Sequence, residues 1–503
     1  MINKLLQLHC IPNTKNSFKC DQIVAFFFRF INFGIQKHKV GETMLRSMFL
    51  FVILLYLFSV LFPHIDIKFM LSGLCLIIVL CTLFQAKRFV QILGSCFLIL
   101  GVILLWTSRA HWNQYILSFG PMLDLLTMFT LIPILGIPIK LGNYSESIQM
   151  IIQKRIKTSG QLYMITSGIS YFFSIFMNLA TLPMTYYSIR PALSLFTVQN
   201  KERFMSRAIS RGFAMPLVWA PVTPIVGIVI TMTGVTWVSI LPYVIPLSII
   251  GMGLDWYIGS RKSKMMIKTQ KNLAAHETAS TIENTGPDRS GRVFQILLAI
   301  IIFNVVISIV EKLVPYPFLI LVSLLVIPFA FVWSLFLKQG KQFGHELLKH
   351  FQSFAISMKD QFFIYLSAGF FISAMNVSHT NHWLYLLVTK FIHVAGVNIF
   401  LILLPLIPLL FAFLGLHPAV SLALMIQGLD PKAIGISPLV LTVAMLAGAV
   451  SAFLVGPYNA TLGLMSNIVK ESSYKVSNWN LSFAGLYIAC VMLYLCLLQL
   501  LFS

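Results

Sequence analysis

Charged side chains are scarce in this sequence, and acidic ones are the scarcest. Of 503 residues, 10% are charged and 58% are hydrophobic, and 36 Lys and Arg stand against 15 Asp and Glu. A soluble domain needs far more polar surface than this chain can supply, so a soluble globular protein is excluded. Many apolar runs approach the roughly 20 residues that a spanning helix needs. The composition therefore predicts an all-α polytopic membrane protein whose main partner is the lipid bilayer.

Several kinds of site are missing from the sequence. The seven cysteines show no metal-ligand spacing, and most lie within apolar runs, so we expect no metal and no cofactor. No GxxxxGK[ST] stretch is present, so this chain does not bind ATP by that route. The formal charge of +21 is spread over short loops between apolar runs, as in membrane proteins. We therefore expect no nucleic-acid partner.

The apolar runs predict eleven transmembrane helices. They are 45–62, 67–85, 89–107, 116–139, a Pro-interrupted span ending near Thr233, 236–258, 293–310, 317–337, 360–377, an interrupted span within 437–469, and 480–502. Two further apolar segments, 161–189 and 397–428, are each broken near the middle, which predicts two re-entrant hairpins.

The interrupted spans carry the clearest local signals. In Ser451–Gly463, the pair Gly456-Pro457 disfavours a continuous helix, and Tyr458, Asn459 and Thr461 follow at membrane depth. The earlier stretch Trp219–Pro224 contains two prolines. Irregular backbone survives inside a bilayer only where protein or a water-filled cavity satisfies it. Two such spans, one in each half of a chain, are typical of secondary transporters built from repeats.

The two halves have the same order of elements. Pro183 and Pro221 are 38 residues apart, and Pro418 and Pro457 are 39 apart. The predicted organisation is an extension at 1–43, a first helix plus repeat 1 at 44–258, a polar cytoplasmic linker at 259–292 and repeat 2 at 293–503. The extension is either an amphipathic surface segment or a product of an upstream start codon. Five crossings per repeat require the second repeat to be inverted relative to the first.

The distribution of basic residues supports this topology. With the N-terminus inside and both hairpins returning to their own side, 31 of the 36 Lys and Arg lie inside and five lie outside. Such a bias is what the positive-inside rule predicts. We therefore expect a multi-pass protein of the plasma membrane with a cytoplasmic N-terminus.

An extra first helix, two inverted five-helix repeats and a hairpin and broken helix in each repeat resemble the ion transporter superfamily. That group includes divalent-anion/sodium symporters, arsenite permeases and the large membrane subunits of TRAP transporters. Its members often carry Ser-Asn-Thr at the hairpin tips and helix breaks, and the stretch Asn459-Ala-Thr461 comes closest here. The resemblance implies an elevator-type movement of hairpins and broken helices against a scaffold, and a homodimer formed through the scaffold.

The predicted binding residues lie at the hairpin tips and breaks. They are Asn178, Thr181, Thr223, His417, Tyr458, Asn459 and Thr461. Half-helix N-termini favour anions, and neutral hydroxyl and amide groups suit a carboxylate or a partly dehydrated Na⁺. The alternative for each Thr or Asn is that it joins helices by a hydrogen bond. His417 either titrates near neutral pH or bonds backbone.

Ionisable residues at membrane depth are a second group. Asp124, in the fourth predicted span, either carries a coupling proton or pairs with another scaffold group. Asp255 and Asp360 are expected at the inner membrane surface. Arg207 and Arg211 either attract an anion or follow the positive-inside bias.

These patterns favour a secondary transporter of a small anionic metabolite, coupled to Na⁺ or H⁺, over an enzyme. The alternatives are a membrane-embedded glycan polymerase or ligase and a structural or sensory protein. Short and nearly uncharged outer loops count against the enzyme, and the duplicated broken helices would be unexplained in a structural protein.

Overall fold

The computed structural model describes residues 38–142, 156, 158–193, 196, 198–270, 291–429 and 434–502, and these form helices without any β-strand. In the first half the helices are α1 His38–Leu61, α2 Lys68–Leu83, α3 Arg88–Thr107, α4 Trp112–Leu117, α5 Leu123–Leu131, α6 Gly136–Leu141, α7 Ser159–Met177, α8 Thr181–Leu193, α9 Lys201–Ala214, α10 Pro224–Thr233 and α11 Trp237–Gln270. In the second half they are α12 Gly291–Leu313, α13 Phe318–Phe336, α14 Gly340–Val377, α15 Thr380–Ala395, α16 Val397–Leu403, α17 Leu406–Phe413, α18 Pro418–Ile426, α19 Pro438–Val455, α20 Ala460–Val469 and α21 Ser473–Phe502.

The chain has the helices of a polytopic membrane protein, as predicted. Within the described residues, nine helical stretches are long and apolar enough to cross a bilayer by length and composition, and Ser159–Leu193 is one of them. The bent pair α14 and α15 raises the number to ten. Two shorter apolar helices, α2 and α10, belong to the predicted span 67–85 and to the predicted Pro-interrupted span that ends near Thr233. The predicted extension lies mostly outside the described residues, because α1 begins at His38.

The segment Ser159–Leu193, called hairpin 1 below, folds back on itself. The rings of Tyr163 in α7 and Phe204 in α9 are 5.3 Å apart, so both helices begin at one level. Further along, the Ser170 hydroxyl donates to the Ile209 carbonyl oxygen at 2.8 Å, which makes α7 and α9 parallel. The intervening α8 therefore runs back, and the Tyr186 hydroxyl in α8 donates to Glu202, at the start of α9, at 2.8 Å. This geometry agrees with the hairpin predicted at 161–189.

Hairpin 2 comprises α16, α17 and α18 (397–426), with its turn before Pro418. Its first arm runs parallel to α19. Just past the middle of α19, a Cβ on Gly448 would come within 2.6 Å of the Pro405 carbonyl oxygen. Directly after its end, a Cβ on Gly456 would come within 2.7 Å of Ala412. At the turn, Gly415 has a φ of +89°, a conformation that glycine adopts without strain.

Each repeat also has a broken helix at the predicted place. In repeat 1, α9 continues through a 3₁₀ turn to Val218, and α10 begins at Pro224. In repeat 2, α19 ends at Val455 and α20 begins at Ala460. Pro224 is the first residue of its helix, where a missing N–H costs no hydrogen bond.

The two repeats are packed against each other in opposite directions. The second arm of hairpin 1, α8, packs against α20, and the second arm of hairpin 2, α18, packs against α10. The Thr442 hydroxyl near the start of α19 donates to the Thr233 hydroxyl at the end of α10 at 2.8 Å. The broken helix of repeat 2 therefore starts beside the end of the broken helix of repeat 1. The two run in opposite directions, as an inverted repeat requires.

Contacts between loops agree with the sides that the charges predict. On the predicted inner side, the Lys87 N–H donates to Asp360 at 3.0 Å, and Lys140 pairs with Glu346 at 2.6 Å. On the predicted outer side, the Trp237 N–H donates to Glu311 at 2.8 Å. Asp360 thus contacts the connection between α2 and α3, which agrees with its expected place near a span end.

One helix was not predicted from the sequence. After Val377 the chain bends by 82° into α15, so α15 lies across the direction of the spans. Trp383 and Leu387 on α15 are 69% and 64% exposed. An apolar, aromatic helix in this orientation is typical of the membrane surface.

The inverted topology predicts where three engineered cysteines react. In intact cells, Asn113→Cys should react with a membrane-impermeant maleimide, whereas Ser280→Cys and Gln342→Cys should react only after permeabilisation. The reason is that the charges predict an outer position for the connection after the span 89–107. They predict an inner position for the linker 259–292 and for the connection between the spans 317–337 and 360–377. Labelling of Ser280→Cys and Gln342→Cys from opposite sides would contradict the inverted repeat.

Candidate functional site

Asn459 joins the two halves of the second broken helix. Its side-chain amide donates to the carbonyl oxygens of Ala452 and Phe453, both at 3.0 Å, and its Oδ1 accepts from the Leu462 N–H at 2.8 Å. The side chain thus bonds carbonyls at the end of α19 and caps the start of α20. All of these bonds go to backbone, so Asn459 first of all stabilises the break.

The carbonyls before the two breaks are also bonded from the following helix. The Trp237 indole N–H, in the first turn of α11, donates to the Trp219 carbonyl oxygen at 2.8 Å. The Ser477 hydroxyl, near the start of α21, donates to the Val455 carbonyl oxygen at 2.6 Å. In both repeats, the carbonyl before the break therefore accepts a hydrogen bond from the start of the next helix, donated by a Trp in one repeat and by a Ser in the other.

The hairpin 1 tip and the second break bring buried hydroxyls together. Thr181 is the first residue of α8 and Thr461 lies in the first turn of α20, and these helices pack against each other. Both side chains are at most 1% exposed, and neither hydroxyl has a hydrogen-bond partner among the described residues. Asn178 lies at the tip itself, half-buried, with a φ of +47°.

Four more hydroxyls on the same and adjoining helices are also buried without a hydrogen-bond partner among the described residues. They are Thr185 on α8, Ser206 and Ser210 on α9, and Ser451 on α19. With Thr181 and Thr461 they are called the hydroxyl cluster below. α8, α9 and α20 all contact one another, and α19 contacts α9 and α20. Thr181 and Thr185 are one turn apart, as are Ser206 and Ser210, so each pair faces one side of its helix.

Many buried hydroxyls elsewhere are bonded within their own helices, although Thr127 on α5 and Ser367 on α14 also lack a partner among the described residues. Thr166 and Ser323, for example, donate to the carbonyl oxygen four residues earlier at 2.7 Å, which is the usual arrangement in a buried helix. A buried hydroxyl without a partner costs about 1–3 kcal/mol. The hydroxyl cluster is therefore a group of donors and acceptors still able to bind a ligand.

The hairpin 2 tip has a different chemistry. His417 caps the start of α18, where its Nδ1 accepts from the Ala419 N–H at 3.2 Å and lies 2.7 Å from the Tyr365 hydroxyl. The ring lies among Phe129, Tyr365 and Phe453. This supports the interpretation in which His417 bonds backbone. Thr223 is buried before α10, which packs against α18, and its side chain makes no capping bond.

The predicted residues thus form two groups. Asn178, Thr181, Asn459 and Thr461 lie where hairpin 1 meets α20, whereas Thr223 and His417 lie where hairpin 2 meets α10. Tyr458 is 48% exposed, stacks on Phe89 with ring centroids 5.0 Å apart, and hydrogen-bonds to Tyr474.

Asp124 lies apart from both groups. It is in the first turn of α5, which begins seven residues later than the predicted span, and its Oδ1 accepts from the Leu125 N–H at 2.7 Å. A carboxylate at a helix N-terminus is favoured by the helix dipole. Within the described part of the chain, Asp124 makes no ion pair.

Asp255 was expected at the inner membrane surface, and the structure shows its side chain buried between helices. Asp255 is fully buried, and its carboxylate pairs with Arg211 at 3.1 Å and accepts from the hydroxyls of Tyr163 at 2.7 Å and Ser167 at 2.8 Å. Arg211, 2% exposed, also donates to Asn480 and to the Trp479 carbonyl oxygen, both at 3.1 Å.

This ion-pair network connects both repeats. Arg211 lies on α9, Asp255 on α11, Tyr163 and Ser167 on α7, and Asn480 on α21. Arg207 also donates to the Trp479 carbonyl oxygen at 2.9 Å. Because these groups are bonded to one another, Arg211 is neither a free anion-attracting residue nor a simple loop charge. An acid inside the apolar run 236–258 was the sequence signal for this network.

Comparison with known proteins finds a similar fold among solved structures but no related sequence. No protein-family model matches the sequence, and no curated protein matches it significantly. Among solved structures, the chain is similar to the crystal structure of the YdaH transporter of Alcanivorax borkumensis, with a TM-score of 0.50 and 14% sequence identity. The match covers 75% of this chain and 84% of that one. At this identity the likeness concerns the fold, and membership of the ion transporter superfamily stays a prediction.

The ion-pair network predicts a large asymmetry between single and double variants. Arg211→Met should lower the free energy of unfolding by about 3–5 kcal/mol, because it leaves Asp255 buried without a countercharge. Arg211→Met combined with Asp255→Leu should recover much of this loss. Thermal unfolding in detergent is the measurement.

Arg203→Met is the matched control, since Arg203 is exposed on the same helix. It should change stability by less than about 0.5 kcal/mol. A double variant as unstable as Arg211→Met alone would show that the buried charge is not the cause.

Proposed function

We propose that the protein is an ion-coupled secondary transporter of a small anion. The observation that carries the proposal is the hydroxyl cluster between the tip of hairpin 1 and the second broken helix. The N-termini of α8 and α20 both lie there, and their dipoles favour a negative charge. The fold likeness to a protein described as a transporter supports the same class.

The choice of an anion as substrate rests on which groups at the break remain free. Carbonyl oxygens at the end of α19 would favour a cation, but those of Ala452, Phe453 and Val455 already accept side-chain hydrogen bonds. Hydroxyl donors and helix N-termini remain. A carboxylate or oxyanion of a small metabolite matches them. The coupling ion is Na⁺, bound by hydroxyl oxygens, or H⁺, for which Asp124 is the candidate carrier.

An elevator movement is the proposed mechanism. The moving body comprises both hairpins, both broken helices, α11 and α21, and the scaffold comprises α1–α6 and α12–α14. Hairpin 2 enters from the outer side, yet its Gly415 contacts Phe89 in the first turn of α3, at the inner end of the scaffold. At the tip of hairpin 1, Phe176 lies against Trp333, near the inner end of α13. Both tips lie in the inner half, which supports an inward-facing state.

Uptake into proteoliposomes tests the function. Under an imposed Na⁺ or H⁺ gradient, a panel of dicarboxylates, tricarboxylates and oxyanions should include at least one accumulated substrate. Thr181→Val and Thr461→Val should lower that uptake about tenfold, because each removes a hydrogen bond to a charged ligand. Neither should lower the melting temperature, since each hydroxyl lacks a partner in the protein.

Matched variants separate binding from folding. Thr166→Val, whose hydroxyl bonds only its own helix, should leave uptake unchanged. Asn459→Ala should lower both uptake and melting temperature, because it frees backbone groups of both half-helices. Asp124→Asn should abolish dependence on the H⁺ gradient if Asp124 carries the proton. Undiminished uptake by Thr181→Val and Thr461→Val would remove the proposed site.

A cross-link tests the movement. In a background without the native cysteines, Phe89→Cys with Tyr458→Cys joins scaffold to moving body, and the native rings stack there. A bifunctional thiol reagent should trap the inward-facing state and abolish uptake. The control pair, Lys140→Cys with Glu346→Cys, lies within the scaffold and should cross-link without loss of uptake. Equal uptake before and after cross-linking of the first pair would contradict the elevator.

A further inference from the structure

Two neighbouring cavities lie at the outer end of hairpin 2, and neither is lined by the predicted site residues. The first has a volume of about 500 Å³ and is called the apolar cavity. The second has a volume of about 520 Å³ and is called the polar pocket. Gly428 and Leu429 line both, so the two cavities adjoin each other.

The apolar cavity lies at membrane depth between three parts of the protein. Leu100 and Leu104 of α3 and Phe371 of α14 form one wall, and Phe400, Leu404 and Met425 of hairpin 2 form the opposite wall. α15 closes the outer end. Each volume falls within the roughly 300–1,000 Å³ of ordinary ligand pockets. A hydrocarbon chain is the ligand that such a lining accepts.

The polar pocket has the opposite character. It is lined by His379, Asn381, His382, Tyr385 and Gln427 together with the shared residues. These side chains supply several hydrogen-bond donors. None of the residues that line the polar pocket is acidic, and two of them are histidines. The pocket therefore suits a phosphate group.

α15 builds both halves of the space from its two faces. Thr380, Leu384 and Val388 recur every four residues and line the apolar cavity, while Asn381, His382 and Tyr385 line the polar pocket. The helix lies across the spans at their outer end, where headgroups and acyl chains of a bilayer meet. The polar pocket is thus placed to receive a lipid headgroup, and the apolar cavity is placed to receive an acyl chain.

We propose that this space is a binding site for one anionic glycerophospholipid of the outer leaflet. An acyl chain lies in the apolar cavity, and the phosphate lies in the polar pocket against His379 and His382. The site does not depend on the transport proposal, since its evidence comes from other residues.

Photolabelling tests the chain-binding half. Proteoliposomes contain phosphatidylglycerol with a diazirine in its acyl chain, and adducts are mapped by mass spectrometry. We expect adducts on the peptides of Leu404 and Met425. Leu384→Trp fills the cavity and should lower them about fivefold, whereas Leu387→Trp, on the lipid-facing side of α15, should not. Equal labelling in both variants would overturn the proposal.

The headgroup half is tested by lipid selection. Phosphatidylglycerol should label the cavity about tenfold more than a diacylglycerol with the same acyl chains, which lacks the phosphate, as expected for hydrogen bonds to a charged group. The double variant His379→Ala/His382→Ala should lose that preference, and His393→Ala, elsewhere on α15, should keep it. Equal labelling by the two lipids, or displacement of the label by inorganic phosphate alone, would overturn the lipid assignment.

Discussion

Unsatisfied backbone is the constraint on which this architecture depends. Where a helix stops inside a bilayer, lipid offers no hydrogen-bond partner, and each free carbonyl or N–H costs several kcal/mol. Here the partners come from the protein itself. Asn459 bonds both sides of the second break, and Trp237 and Ser477 reach back to the carbonyls of Trp219 and Val455. Breaks secured in this way can persist, and the helix ends that they create face protein.

Because side chains bond the backbone groups at the breaks, the polar groups that remain without a partner there are hydroxyls. The hydroxyl cluster has no partners among the described residues, whereas Thr166 and Ser323 are bonded within their own helices. The interpretation of Thr and Asn as connectors between helices therefore holds for Thr442 with Thr233, but not for Thr181 or Thr461. Under the proposed function, this difference separates residues that hold the fold from those that bind substrate.

Much of the fold could be predicted because its signals are local. Apolar run length, Gly-Pro and Pro-Pro spacing and the position of Lys and Arg each act over a few residues, and they gave the spans, both breaks and the hairpins. The partners of Asp255 could not be predicted, because Arg211 and Tyr163 are 44 and 92 residues away and no periodicity links them. For the same reason, Ser206 and Ser210 could not be assigned to the site, since only packing brings α9 beside α20. α15 was missed because it contains too many polar residues to resemble a span.

The kinds of contact in the protein fit a rigid body beside a scaffold. Inside the body, the network of Arg211 and Asp255 joins α7, α9, α11 and α21 through directional bonds that tolerate little movement. The border with the scaffold is mainly apolar, as where Leu319 fills the space beside Gly227 and Phe176 packs on Phe329. Apolar contacts are non-directional and can be exchanged for similar ones after a shift. Under the proposed elevator movement, hydrogen bonds such as that of Tyr365 with His417 form in one position only, so they would favour that position over its alternative.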